Sequence, residues 1–177
     1  MTTGEIFLES VLRRLKDYKV LGEKTFAQLD DSQINFQPNE ASNSIATIVQ
    51  HLHGNMLSRW TNFLTEDGEK PWRNRDEEFE IKQLAKDQVT ELWNKGWETF
   101  LQSLSSLRDN DLTKTVSIRH EKLSVIDAIN RQVAHYSYHV GQIVFLGKWI
   151  RSNEWQSLSI PPKGSAAFNE KMMGEKL

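Results

Sequence analysis

The chain has 177 residues, 38% of them hydrophobic and 26% charged, with 24 acidic against 22 basic side chains and a formal charge of −2. That is the profile of one globular domain, residues 1–177, and its near balance of charge gives no pull toward nucleic acid or an anionic membrane. No cysteine is present, which excludes disulfides and thiolate metal ligands, so a bound metal would have to be held by His, Asp or Glu.

The amino end, MTTGEIFLESVLRRLKD, lacks a charged segment leading into an apolar one, so no secretory signal is expected and the chain is expected in the cytoplasm. No apolar run is long enough to span a bilayer. Phe7, Val11, Leu15 and Tyr18 recur at helical spacing and predict a first helix over about residues 5–29. DDSQINFQPNEASN follows as a turn-rich connection, and Pro38 prevents a helix from running through it.

A second helix is predicted over about residues 43–64, capped by Ser42 or Ser44. Its apolar stripe is Ile45, Val49, Leu52, Met56, Trp60 and Phe63. Next comes a charged loop, TEDGEKPWRNRDEEFE. Trp72, Arg73 and Arg75 in it read either as a lid over a cleft or as a solvated loop with one anchoring Trp. The third helix is expected over about residues 81–107, carrying Val89, Leu92, Trp93, Trp97, Phe100, Leu101 and Leu104, with Trp93 and Trp97 in the core. KTVSIR and EKLSV can pair as a hairpin around Arg119–His120.

Ser124 then caps a fourth helix over about residues 124–150, and the tail with Pro161, Pro162 and Gly164 is expected to be irregular. Long helices without strands enough for a sheet core predict an all-α fold, a four-helix bundle with a short β-hairpin before the fourth helix.

RQVAHYSYHVGQ lies on that fourth helix. A helix advances about 100° per residue, so His135 and His139 lie about 40° apart, on one face at the edge of the apolar stripe. Two imidazoles one turn apart can aim at a common metal about 2.1 Å from each, but the spacing also arises by chance and a third ligand is needed. The second helix offers His51 and His53, about 200° apart. His53 sits nearer the apolar stripe. His51 shares its face with Ser44, Asn55, Ser58 and Asn62, which reads equally as a solvent face or as the wall of a wet cleft. Asp127 is a cap residue, and no carboxylate on the His135/His139 face offers a general base.

IVQHLHGNM on the second helix and AHYSYHVGQI on the fourth resemble the DinB/YfiT-like superfamily of metal-binding four-helix bundles. The segment GNMLSRWTNFLTEDGEKPWRNRDEEF and the ending LSIPPKGSAAFNE are similar to a narrower bacterial branch of it. The resemblance implies a divalent metal, zinc or nickel, held by His51, His135 and His139. It implies a metal-dependent thiol S-transferase with a low-molecular-weight thiol as cosubstrate. Behind that stand a metal-dependent hydrolase and a non-catalytic bundle that binds a metal or small molecule. A small-molecule substrate and a homodimer are the partners implied. Arg131, one turn before His135, is a candidate for a substrate carboxylate or phosphate, against a surface ion pair. Asn55, one turn after His51, is a candidate hydrogen-bonding residue for the ligand.

Overall fold

The computed structural model describes residues 1–174. Four long helices carry the fold: α1 (Thr3–Phe26), α3 (Ile45–Trp60), α4 (Lys86–Ser106) and α5 (Val125–Arg151). A one-turn helix α2 (Asp31–Ile34) follows α1. Strands β1 (Thr115–Ile118) and β2 (Glu121–Ser124) form an antiparallel hairpin before α5, and α6 (Ser165–Gly174) lies near the carboxyl end. The expected bundle and hairpin are both present. No helix among the described residues is long and apolar enough to cross a membrane.

The helix ends differ from those the periodicity predicts, because capping and tertiary hydrogen bonds set them. α1 starts early, at a capping box in which Thr2 Oγ1 accepts from Glu5 N and Glu5 accepts from Thr2 N. It ends at Phe26, and Asp30 caps α2 by accepting from Gln33 N at 2.9 Å. Ser44 rather than Ser42 caps α3. That helix stops at Trp60, since Thr61 is extended and Asn62 takes a left-handed φ of 52°. α4 begins five residues later than expected. Asn35 accepts from Leu84 N at 3.1 Å and donates to Leu84 O at 2.7 Å, which holds the preceding segment extended. The tail is not wholly irregular, because α6 forms beyond Pro161 and Pro162.

The core is aromatic where α3, α4 and α5 meet. Trp60, Trp93, Trp97, Phe100 and Tyr136 are all at most 2% exposed. Phe100 and Tyr136 meet edge-on at 5.0 Å, and Trp97 meets Tyr136 the same way at 5.9 Å, the arrangement that ring quadrupoles favour. Trp60 Nε1 donates to the Tyr136 hydroxyl, which donates to Asn55 Oδ1. This chain fixes Tyr136, and so the segment of α5 that carries its neighbour His135.

The hairpin turn holds two non-glycine residues in left-handed conformation, Arg119 (φ 54°) and His120 (φ 64°). Two-residue hairpin loops of this kind normally use Asn-Gly. Here the Asp67 carboxylate accepts from both backbone amides, Arg119 N at 2.8 Å and His120 N at 2.9 Å. Burial would raise the Asp67 pKa, but these donors and Glu69 N outweigh it and hold the group well below the usual carboxylate range. The charged loop after α3 thus pins the hairpin against it.

Candidate metal centre

His51 comes from the middle of α3, and His135 and His139 come from successive turns of α5. The Nε2 atoms converge. His51 Nε2 lies 3.2 Å and His139 Nε2 lies 3.1 Å from His135 Nε2, and one ligand atom from each ring falls within 4.8 Å of the others. Two imidazoles bound at about 2.1 Å would stand about 3.0 Å apart at a right angle and about 3.4 Å apart in a tetrahedron. Both of these separations fall inside that window, and the three rings could hold a divalent cation.

The outer ring nitrogens reinforce the fit. His51 Nδ1 donates to Glu78 Oε2 at 2.9 Å, and His139 Nδ1 donates to Gln142 Oε1 at 2.8 Å. With those protons on Nδ1, both Nε2 atoms present lone pairs to the same point, the tautomer a metal ligand needs. Burial first, then the neighbouring rings of His139 and His51 and the guanidiniums of Arg73 and Arg59, push His135 down to about 3. Burial pushes His139 down to about 4, against the opposing hydrogen bond to Gln142. At neutral pH both rings are uncharged, as ligation requires.

His51 is the buried histidine of α3, at 5% exposure, the one that the family resemblance implies rather than His53, which periodicity places nearer the apolar stripe. The polar face of α3 is largely not a solvent face, since Ser44, Asn55 and Ser58 are buried with His51, while Asn62 beyond the helix end is exposed. His53 is half-buried and its Nδ1 donates to Leu92 O of α4 at 2.9 Å.

Glu78 is the site residue the sequence pattern did not mark. It lies in a single 3₁₀ turn, Asp76–Phe79, inside the charged loop. Besides His51 it binds Arg73 in a fork, Nε to Oε1 at 2.7 Å and Nη2 to Oε2 at 2.9 Å. Burial would raise its pKa, but the hydrogen bonds from His51 and Arg73 outweigh that and keep it ionised. Gly54 makes room for it: a Cβ there would stand 2.1 Å from Glu78 Oε1. A mid-helix glycine costs about 0.5–1 kcal/mol against alanine, and this one admits the carboxylate to the α3 surface. Gly54 belongs to the HLHGN motif, so the sequence did hold a trace of the contact. Phe79 stacks on the His51 ring at 4.9 Å.

The loop therefore closes over the cluster through Arg73 and Phe79, while Trp72, considered as a lid or an anchor, is 59% exposed. Arg131 makes the surface ion pair with Glu121 at 3.2 Å and also lines the cleft. Asn55 is buried at the cleft wall. The cleft has a volume of about 480 Å³.

A family model described as protein of unknown function DUF1572 matches residues 2–164. The chain belongs to this family. DUF1572 is a DinB-like family, and the protein shares its fold with a crystal structure of a DinB-like protein from Bacillus cereus ATCC 10987. The TM-score is 0.61 at 15% identity, over 80% of this chain and 91% of that one. No curated protein matches the sequence. DUF1572 membership, the helical fold and a histidine cluster that could hold a metal ion stand together.

Proposed function

We propose that the protein is a divalent-metal-dependent thiol S-transferase whose zinc or nickel is held by His51, His135 and His139. The observation that carries this reading is the convergence of three Nε2 atoms at the floor of an open cleft, with Glu78 orienting His51 from behind. A divalent cation on three neutral ligands would supply a Lewis-acid centre with an open position, able to acidify a thiol or a water.

The protein's own groups favour the thiol. Hydrolysis calls for a base or acid to move protons between water and leaving group. Both oxygens of Glu78 are already engaged by His51 and Arg73, and among the described residues no Asp or Glu lines the cleft. A low-molecular-weight thiol that has lost its proton to solvent can attack an electrophilic carbon and displace a leaving group that departs as an anion, with no such base needed. Asn55, whose Oδ1 is taken by the Tyr136 hydroxyl, keeps its amide group for the ligand. Arg131 stands at the cleft edge to meet a substrate anion. The non-catalytic alternative draws on the same lack of acid and base groups, and one assay separates the two. Metal-loaded protein is expected to consume a low-molecular-weight thiol in the presence of an electrophile panel. Consumption no faster than with the His51→Ala/His135→Ala/His139→Ala variant would end the transferase reading.

A homodimer is part of the same proposal. Tyr138, Phe145 and Trp149 form an exposed aromatic row on α5, at 62%, 69% and 55% exposure, and rows of this kind favour burial against another chain. Light scattering is expected to give twice the chain mass. A monomeric mass at high protein concentration would exclude the pairing.

A further inference from the structure

Five arginines line the histidine cleft: Arg59, Arg73, Arg75, Arg119 and Arg131. They come from α3, from the loop after it, from the hairpin turn and from α5. The carboxylates that hold them are fewer. One oxygen, Glu69 Oε2, accepts from Arg59 and Arg119 at 2.9 Å each and has Arg73 Nη1 3.9 Å away. Glu78 takes Arg73, and Glu121 takes Arg131. Arg75 lies over the Phe79 ring at 4.8 Å and has no ion-pair partner among the described residues. The cleft therefore carries surplus positive charge at its walls, above a floor suited to a cation.

Two further features point to an absent ligand. Arg73 is 2% exposed along its side chain, and its Nη1 is buried without a hydrogen-bond partner. Gln132 lines the same cleft at 2% exposure, with Oε1 likewise unpartnered. A buried donor and a buried acceptor left unmade are each costly unless something in the cleft completes them. The hairpin turn is the second feature. It keeps Arg119 in a left-handed conformation at a loop that Asn-Gly would fill without strain. Its Arg119 guanidinium is exposed and lines the cleft.

We propose that the cleft recognises a small organic anion, its carboxylate or phosphate group seated among Arg75, Arg119 and Arg131 at the mouth and its other end facing the histidine cluster. This rests on reading the cleft as the reaction site and names the substrate class for it. Planar guanidiniums from three separate elements suit the oxygens of a carboxylate or phosphate. The surplus charge also attracts such a molecule from solution at low ionic strength.

Calorimetry on the full chain without an affinity tag tests this, with succinate, inorganic phosphate and the neutral isostere succinamide as probes. The protein is used metal-free and zinc-loaded. Metal-free protein is expected to bind succinate or phosphate and not succinamide, more weakly as salt is added. The tighter of the two anions identifies the group recognised. The variant Arg75→Ala/Arg119→Asn/Arg131→Ala alters only exposed side chains, and asparagine tolerates the left-handed turn. It is expected to keep its circular dichroism and its zinc stoichiometry while anion affinity falls at least tenfold. Two results overturn the proposal: neither anion binds in either metal state, or the variant binds them as well as the wild type. If zinc fails to bind but anion binding still depends on the three arginines, the metal-dependent transferase is lost and the anion site stands.

Discussion

His135→Ala is expected to abolish stoichiometric uptake of zinc or nickel. His135 is the hub of the cluster, since the Nε2 atoms of both other histidines stand within 3.2 Å of its own. Removing it leaves only two of the three candidate ligand rings, His51 and His139. The measurement is metal content after loading and gel filtration, alongside thermal unfolding. A metal that binds the folded state stabilises it by about 2.7 kcal/mol at a hundredfold excess over Kd. The wild type should therefore melt higher with metal, and the variant should not. Glu78→Gln offers a graded companion. It weakens the acceptor behind His51 and breaks the Arg73 fork, and loss of such an outer partner costs about 10- to 100-fold in metal affinity. A His135→Ala protein that still bound one metal per chain would disprove the three-histidine centre. An unchanged Glu78→Gln affinity would reduce Glu78 to a loop anchor.

Trp97→Ala is expected to have the largest effect on stability. Trp97 is fully buried and touches Trp93, Phe100 and Tyr136, with ring centroids at 5.4, 5.8 and 5.9 Å. Truncating a core Trp costs about 3–5 kcal/mol, because neighbours collapse only partly into the space left. In a chain of this size that lowers the melting temperature by about 10 °C. Trp97→Phe should cost much less. It keeps a ring in the core and removes the indole N–H, which is buried without a hydrogen-bond partner. Chemical denaturation of the two variants provides the comparison. A loss below about 1 kcal/mol for Trp97→Ala would show that the aromatic cluster does not hold α4 to α5. Tyr136 packs on Trp97 and directly follows His135, so the same truncation should also weaken metal uptake.

The sequence made the helices legible because each writes its buried face into a 3.6-residue repeat, and it made the hairpin legible through its β-branched runs. It also placed His135 and His139 together, since two positions four apart on one helix share a face in any fold. The helix ends were less readable. The α4 start depends on Asn35, which lies 49 positions before its partner Leu84, and no local pattern records such a bond.

The site divides along the same line. Periodicity alone favoured His53 as the buried histidine of α3. The family resemblance pointed to His51, and the packing of α3 against α5 and the charged loop puts His51 inside. Glu78 was invisible because its loop has no period and its role exists only across the 27 positions that separate it from His51. Gly54 opposite it was only a small residue in a motif until the carboxylate was seen against it. The five arginines were likewise scattered through the sequence, with only Arg131 singled out for the ligand. What the sequence by itself determined was the four long helices and one pair of candidate ligands, because those follow from the geometry of a single element. The surroundings of the third candidate ligand, the carboxylate behind it and the charge of the cleft were decided by tertiary structure alone, because each is a contact between elements that share no local repeat.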